Sequence, residues 1–354
     1  MFVAFDIANI YYLPQFMSVI ERCLELSSKV KLVIYKSNID HEYRCVFDKL
    51  KVDLVWVEDD YAALNTYKKE KPDWILFGNS FKFLSSLSAN TKTAQLGHGI
   101  GPKPSYYHKS STPMTVRFME GDIRLSKIQS MFPDDTFIQV GYSKLDPVFN
   151  GLEKGLNLAD LALNPEKKTI LYAPTFNPSS LECFPDDWPL DFAEFNILIK
   201  PHSFTYTIDQ YAGQREKLKK WASYENVYVA GPEELSLLPH MVSADILLSE
   251  ASSTLFEFVA LDKPVVVCDF YKLKWSYRGI FHFRFKKRFG TDNVLYKDIG
   301  PHVNSYKKLR EVVLDELNCP ETYKAQRAQY TRDHVGPIDG LVSKRIVDYL
   351  IENA

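Results

Sequence analysis

Apolar residues in the first half of the chain occur in short runs, separated by longer stretches of mixed polar and apolar residues. The run VKLVIY at 30–35 is apolar at nearly every position, as expected of a strand buried on both faces of a sheet. Runs of this kind, alternating with amphipathic stretches of helical length, are typical of βαβ units and a parallel sheet. We therefore predict strands at 2–7, 30–36, 52–57, 73–78, 93–97, 115–119 and 136–141, and helices near 11–28, 40–50 and 60–71.

The same alternation returns after an interruption in the middle of the chain. Residues 151–168 hold two glycines, a proline and scattered charges, and we interpret them as a linker. Beyond the linker we predict strands at 169–175, 195–202, 226–231, 244–249 and 264–270, and helices at 210–222 and 254–262. We expect an α/β protein with two doubly wound domains, 1–150 and 169–335, and a C-terminal helix in 336–354 that packs back on the first domain. Two such domains that face one another share a cleft at the carboxyl ends of their strands, where open α/β sheets bind ligands.

Composition excludes several classes of protein. The chain has 354 residues, with 43 Lys and Arg against 45 Asp and Glu, so it lacks the basic charge of a dedicated nucleic-acid binder. No apolar stretch is long enough for a transmembrane helix, and the N-terminus carries Asp6 and no basic region, unlike a secretory signal. The five cysteines form no CxxC pair, which favours reduced thiols over disulfides or a zinc site. We expect a cytoplasmic protein with no bound metal, no cofactor and no nucleic-acid partner.

A histidine follows the predicted strand at 93–97, inside the sequence GHGIGPKP at 97–104. Three glycines and two prolines make a tight loop whose backbone can approach a ligand closely. The spacing is not GxGxxG, so a classical dinucleotide site is not supported. Two interpretations remain: His98 has a structural role, or it is catalytic with Gly99 as a candidate substrate contact.

A second histidine follows the predicted strand at 195–202, in the sequence ILIKPHS. Lys200 stands two residues before His202, and Pro201 restricts the turn between them. In one interpretation His202 ends a strand and Lys200 is a surface charge. In the other, both leave the sheet edge toward an anionic substrate, because histidine is suited to proton transfer or phosphate contact near pH 7.

A serine-rich segment follows the predicted strand at 244–249 and leads into a helix. Hydroxyl groups and free backbone N–H groups at a helix N-terminus favour an anion such as phosphate, and the residues that could supply them are Ser249, Ser252, Ser253 and Thr254. A capping box explains the same pattern, with Thr254 as the cap and Glu257 three residues later. Both can hold, because one hydroxyl can cap while its neighbours bind phosphate.

Two weaker candidates also follow strands. Thr175 lies in APTF at 173–176 as a candidate phosphate contact, although Pro-Thr also simply ends strands. Lys144 and Asp146 lie in GYSKLDP at 141–147 as candidate substrate contacts, although the segment also suits a turn to the linker. The chain has no Asp-x-Asp triplet, so a leaving diphosphate would be stabilised by hydroxyls, a helix dipole and basic side chains without a metal.

Four of these segments occur in one order: GHGIG, YAPTF, KPH and the sequence SEASSTLFEFVALDKPVV at 249–266. The set resembles the CDP-glycerol glycerophosphotransferases, which build teichoic acids and related capsule polymers. The chain differs in carrying Lys200 where the family has Arg before Pro-His, and Glu250-Ala251-Ser252-Ser253 where the family has Asp-Tyr-Ser-Ser. The resemblance implies a GT-B fold, with two Rossmann-like domains and the nucleotide held mainly by the C-terminal one.

The resemblance also implies a reaction. An acceptor hydroxyl on a glycan or a lipid-linked polymer attacks the β-phosphate of CDP-glycerol or another nucleotide-activated donor, and CMP leaves. His98 would take the acceptor proton, and His202, supported by Lys200, would bind or protonate phosphate oxygens. The diphosphate and the ribose would then be held by Ser252, Ser253, Thr254 and Glu257.

Two other functions remain open. One is a GT-B glycosyltransferase that uses a nucleotide sugar for envelope polysaccharide synthesis. The other is a nucleotide-binding module without catalytic activity. The segment GIFHFRFKKRFG at 279–290 interleaves four phenylalanines with four cations, which suits an anionic membrane surface or a half-buried strand with solvated charges. We expect peripheral contact with the inner face of the cell membrane if the acceptor is lipid-linked.

Overall fold

A computed structural model describes residues 1–39, 43–97, 99–101, 113–250, 252–271, 273, 277, 279–281, 283–284 and 298–354. Two compact units make up the chain: unit 1 comprises residues 1–152 together with 332–354, and unit 2 comprises 153–331. Of the predicted linker 151–168, residues 153–168 are counted with unit 2 and include a 3-10 turn at Leu158–Leu161.

Unit 1 is built on a sheet of parallel strands in the order β3-β2-β1-β4-β5-β6-β7. The strands are β1 Phe2–Ile7, β2 Lys29–Tyr35, β3 Asp53–Val57, β4 Trp74–Phe77, β5 Lys92–Leu96, β6 Val116–Met119 and β7 Phe137–Gln139. The helices in residues 1–152 of this unit are α1 Leu13–Glu25, α2 Arg44–Asp48, α3 Asp60–Glu70, α4 Asp122–Met131 and α5 Asp146–Phe149. Every residue of β4 is buried, as expected for a central strand covered on both faces.

The C-terminal helix α13, Val342–Glu352, belongs to unit 1. Its apolar face is buried and packs near α1. The indole Nε1 of Trp74 donates a hydrogen bond of 2.9 Å to the carbonyl of Leu350. This contact ties the end of the chain to a strand in the middle of the first sheet.

Unit 2 is built on a second parallel sheet, in the order β10-β9-β8-β11-β12-β13. Its strands are β8 Thr169–Tyr172, β9 Asn196–Ile199, β10 Val227–Val229, β11 Ile246–Ser249, β12 Val265–Cys268 and β13 His302–Val303. Its helices are α6 Trp188–Asp191, α7 Ser203–Thr207, α8 Ala212–Trp221, α9 Leu238–Ser243, α10 Ser253–Val259, α11 Leu309–Asn318 and α12 Lys324–Tyr330. An aromatic core on one face includes Tyr172, Phe184, Trp188 and Trp221.

All twelve predicted strands are confirmed, with ends that differ by a few residues, whereas the two-residue strand β13 was not predicted. The central strands β4 and β12 are buried at every position and apolar throughout, which makes them easy to predict from the sequence. Strand β13 is too short to leave such a pattern, and its residue His302 is exposed. No helix within the described ranges is both long and apolar enough to span a membrane.

Candidate active site

Three neighbouring strands of unit 2 end at the same edge of the second sheet. Strand β8 lies between β9 and β11, with Tyr172 beside Ile199 on one side and Leu248 on the other. Because all three are parallel, the loops that follow them emerge together. Ser249 ends β11, and the loops after the three strands carry Thr175, Lys200, His202 and Ser252. The fold therefore gathers the candidate donor-binding residues of the second half at one edge.

His202 is the N-cap residue of α7, where its Nδ1 accepts a hydrogen bond of 3.1 Å from the N–H of Phe204. A neutral imidazole whose Nδ1 accepts a hydrogen bond carries its proton on Nε2. The ring also packs against Phe176, with 4.7 Å between ring centroids, and against Phe204 at 4.9 Å. The structure therefore holds His202 in one tautomer, the form that can donate a hydrogen bond from Nε2 to an anionic oxygen.

Other candidates at this edge make contacts within the protein. The backbone N–H of Lys200 donates to the carbonyl of Tyr172 at 3.0 Å, which continues the ladder between β8 and β9. The hydroxyl of Thr175 donates to the carbonyl of Pro178. Ser249 is fully buried, and its hydroxyl donates to the carbonyl of Ala173 at 2.7 Å. The hydroxyls of Thr175 and Ser249 therefore stabilise the loop after β8, and their contact with a phosphate stays a prediction.

The serine-rich segment begins its helix earlier than the sequence suggested. Helix α10 starts at Ser253, and Ser252 is the N-cap residue, with its Oγ accepting the N–H of Thr254 at 3.3 Å. The predicted capping box of Thr254 and Glu257 is therefore wrong, because Ser252 already has the extended backbone of an N-cap residue. Glu257 is nearly fully buried in the helix, and its contact with a ribose stays a prediction.

Glu250 is not among the predicted site residues, although it follows β11 directly. Its carboxylate is 1% exposed and accepts hydrogen bonds from the N–H of Thr175 at 2.7 Å, the N–H of Ser180 at 2.5 Å and the hydroxyl of Ser180. Burial raises the pKa of Glu250 to about 7, and the three hydrogen bonds oppose that shift. An acidic residue immediately after a buried strand is the signal that could have identified it.

At the edge of the first sheet, the predicted residue His98 lies outside the described residues. Its neighbour Gly99 is buried, and the carbonyl of Gly99 accepts a hydrogen bond of 3.2 Å from Nη1 of Arg124. The same nitrogen pairs with the carboxylate of Glu120 at 2.7 Å, and both side chains are buried. A Cβ at Gly97 would lie 2.9 Å from Oε1 of Glu120, so a larger residue there would have to displace this carboxylate. The pair was missed, although its spacing of four residues directly after β6 marks it.

The two remaining candidates lie after β7. Lys144 is half-buried in a 3-10 turn at Ser143–Leu145. The carboxylate of Asp146 is 2% exposed and accepts the N–H groups of Val342 at 3.1 Å and Ser343 at 2.6 Å. Asp146 thus binds the first turn of α13 through both carboxylate oxygens, and its contact with a substrate stays a prediction.

Within the described ranges, no three His, Cys, Asp or Glu side chains are grouped so that they could hold a metal ion. The independence of the reaction from metal stays a prediction.

Comparison with known families decides the classification. The family model for CDP-glycerol:poly(glycerophosphate) glycerophosphotransferase matches residues 121–352, more than half of the chain. The chain belongs to this family. The resemblance inferred from the four ordered segments is confirmed.

Two curated proteins are similar in sequence. The teichoic acid glycerol-phosphate primase of Bacillus spizizenii strain W23 is 26% identical over 247 residues, which cover 66% of this chain and 60% of the primase. The protein of the same name from Bacillus subtilis strain 168 is 25% identical over 192 residues, which cover 54% of this chain and 45% of the relative. The chain thus spans about half the length of the curated relatives it matches.

Solved structures establish the fold class. The wall teichoic acid polymerase TagF matches with a TM-score of 0.68 and 16% identity, covering 99% of this chain and 88% of that chain. A UDP-GlcNAc 2-epimerase from Neisseria meningitidis, bound to UDP-GlcNAc, matches with a TM-score of 0.62 and 16% identity, covering 99% and 100%. At such identities the likeness shows the fold alone, and the predicted GT-B-like α/β architecture of two Rossmann-like domains is confirmed.

Proposed function

We propose that the protein transfers glycerol phosphate, or a related polyol phosphate, from a CDP-activated donor to a hydroxyl of a teichoic acid or related envelope polymer. Membership of the glycerophosphotransferase family carries this proposal. A TagF variant has also been solved after soaking with CDPG, which supports CDP-glycerol as the first donor to test. In the reaction, the acceptor oxygen bonds to the β-phosphorus, the bond to the bridging oxygen breaks, and CMP leaves.

The donor diphosphate binds at the edge of unit 2 where β9, β8 and β11 end. His202 supports this assignment because its Nδ1 is occupied by the N–H of Phe204, which leaves Nε2 as the protonated nitrogen of the neutral ring. That N–H donates to a phosphate oxygen and supplies a proton as charge develops on the departing CMP. Lys200, two residues earlier, adds positive charge, and the N-terminal turn Ser252–Thr254 adds hydroxyl donors.

The acceptor hydroxyl loses its proton to His98, which follows β5 in unit 1. The support is indirect: Arg124 and Glu120 are buried beside the flanking glycines, and Arg124 binds the carbonyl of Gly99. A loop held by a buried ion pair can present a base in a defined position. Positioning of this kind, together with charge stabilisation, accounts for most of the catalysis in phosphoryl transfer.

Nucleotide release tests the proposal and its alternatives together. The protein is incubated with CDP-glycerol, a CDP-ribitol control, UDP-sugars and a teichoic acid primer, with and without EDTA. We expect acceptor-dependent release of CMP that persists in EDTA. Release of UDP from a nucleotide sugar would instead identify a glycosyltransferase, and binding of CMP without turnover would identify an inactive nucleotide-binding module.

We further propose peripheral contact with an anionic membrane through residues 279–290. Only part of this segment lies within the described residues: Ile280 is 84% exposed, Phe283 is 60% exposed, and the guanidinium of Arg284 lies 5.8 Å from the ring of Phe283. Exposed apolar groups next to a cation suit the boundary between headgroups and acyl chains. Flotation with anionic and neutral liposomes tests the contact, and binding that survives neutralisation of Arg284, Lys286, Lys287 and Arg288 would refute it.

A further inference from the structure

One buried carboxylate joins the loops that follow β8 and β11. Oε2 of Glu250 accepts the N–H of Thr175, and Oε1 accepts the N–H and the hydroxyl of Ser180. The loop between these two residues is therefore held at both ends by one side chain. Ser180 is held in turn by Tyr172, since the two hydroxyl oxygens are 2.8 Å apart.

The loop that Glu250 binds includes Phe176, whose ring packs against His202. Phe176 lies one residue after Thr175, and its ring packs on His202, Phe204 and Tyr211 at centroid distances of 4.7, 5.0 and 5.9 Å. The side chain of the buried residue Gln214 donates to the carbonyl of Phe176 at 3.3 Å. His202 is thus packed against a loop whose position depends on the carboxylate of Glu250.

We propose that Glu250 is a positioning residue for the transfer reaction, acting through the loop 173–180 and Phe176 to hold His202 in its donor tautomer and orientation. The inference rests on the proposed function for its effect on turnover. It extends that function to a residue that touches neither donor nor acceptor.

The chemistry of the three donors explains why a carboxylate is needed. Two backbone N–H groups and one hydroxyl converge on two oxygens, and a carboxylate can accept from all of them. A glutamine of the same size would turn an NH₂ group toward either Thr175 or Ser180, so at least one donor would lose its acceptor. An aspartate would keep both acceptor oxygens on a shorter side chain.

Three variants separate positioning from general destabilisation. Glu250→Gln is compared with Glu250→Asp and with Glu316→Gln, which makes the same change at another buried glutamate of unit 2, on α11. With CDP-glycerol as donor, we expect Glu250→Gln to lower kcat by about 10–100-fold, the scale found for residues that orient metal-binding histidines. Its KM should change less than its kcat. Glu250→Asp should recover part of the turnover, and Glu316→Gln should keep the wild-type kcat.

A second readout needs no ligand. In protein labelled with ¹⁵N-histidine, the resonances of His202 are assigned by their loss in His202→Gln. Wild-type protein should show the Nε2–H tautomer, and Glu250→Gln should shift His202 toward a mixture of tautomers while Glu316→Gln does not.

The two readouts distinguish the possible failures. If the wild-type protein does not release CMP from CDP-glycerol, the proposed function fails, and the tautomer of His202 alone decides the positioning role. A wild-type His202 spectrum in Glu250→Gln would overturn the inference, as would a kcat loss that Glu316→Gln reproduces.

Discussion

Each of the two sheets has a buried glutamate at the edge where ligands are expected, but the groups that bind the two carboxylates differ. In unit 1, Glu120 pairs with Arg124 at 2.7 Å, and both side chains are buried. In unit 2, Glu250 accepts only neutral donors from Thr175 and Ser180. No Lys or Arg forms an ion pair with Glu250 in the part of the chain that the structure describes.

Because of this difference, the two loops depend on charge in different ways. Burial raises the pKa of Glu120, and Arg124 opposes the shift. Burial raises the pKa of Glu250 to about 7, with only hydrogen bonds to oppose it. The loop of unit 1 is therefore held by two mutually dependent charges, whereas the loop of unit 2 is held by a group that titrates near neutral pH.

Removing the charge of Glu120 should give the largest effect. Glu120→Gln leaves the guanidinium of Arg124 buried without a countercharge, and we expect a loss of about 3–5 kcal/mol in the free energy of unfolding. Urea unfolding measures it. The control is Glu25→Gln, which breaks the exposed pair of Arg22 and Glu25 and should cost no more than about 1 kcal/mol. If the two variants lost the same free energy of unfolding, the prediction that the buried ion pair matters more than the exposed one would be contradicted.

The second prediction concerns the pH dependence that Glu250 adds to stability. Its pKa of about 7 in the folded protein exceeds the roughly 4.3 of an unfolded chain, so the folded state holds the proton more tightly. The contribution of this raised pKa to the free energy of unfolding is therefore fully present below about pH 4 and is lost as the pH rises through 7. The stability of the wild type relative to Glu250→Gln should therefore fall by about 3 kcal/mol between pH 4.5 and 8. Urea unfolding across that range checks it, and a flat difference would contradict it.

The third prediction compares the histidines of the two edges. His98→Ala and His202→Ala should each lower turnover at least about 100-fold with normal folding, because each removes a proton-transfer group. His302→Ala is the matched control, since His302 lies on the outer strand β13 and binds Asp269. CMP release from CDP-glycerol measures all three. Near-wild-type turnover in His98→Ala or His202→Ala would indicate that the substituted histidine has a structural role and not a catalytic one.

The smallest effect is expected at the helix cap. Ser252→Ala removes the oxygen that accepts the N–H of Thr254, and we expect a loss of about 1 kcal/mol in stability. Thr254→Ala keeps that acceptor and should cost less. Thermal unfolding of the two variants decides between Ser252 and Thr254 as the cap.

Local pattern accounts for most of what could be predicted. Strands β1 to β12 were predicted from short runs rich in apolar residues, whereas β13 was not. The order of motifs after β5, β8, β9 and β11 indicated the family. Helix α10 was also found, but its cap was placed two residues late. Several hydroxyl residues in a row can each begin a helix, and the backbone conformation of Ser252 is what selects one of them.

The pattern of residues along the chain was enough to predict two series of parallel strands, the strand ends at which polar residues gather, and membership of a glycerophosphotransferase family. Which of those polar residues serve the fold became apparent only from contacts between distant segments. Asp146 binds a helix that begins 196 residues later along the chain, and Glu250 binds a loop 70 to 75 residues earlier. Such partners leave no periodic signal, because hydrogen bonds between distant segments depend on which strand ends the sheet order brings together.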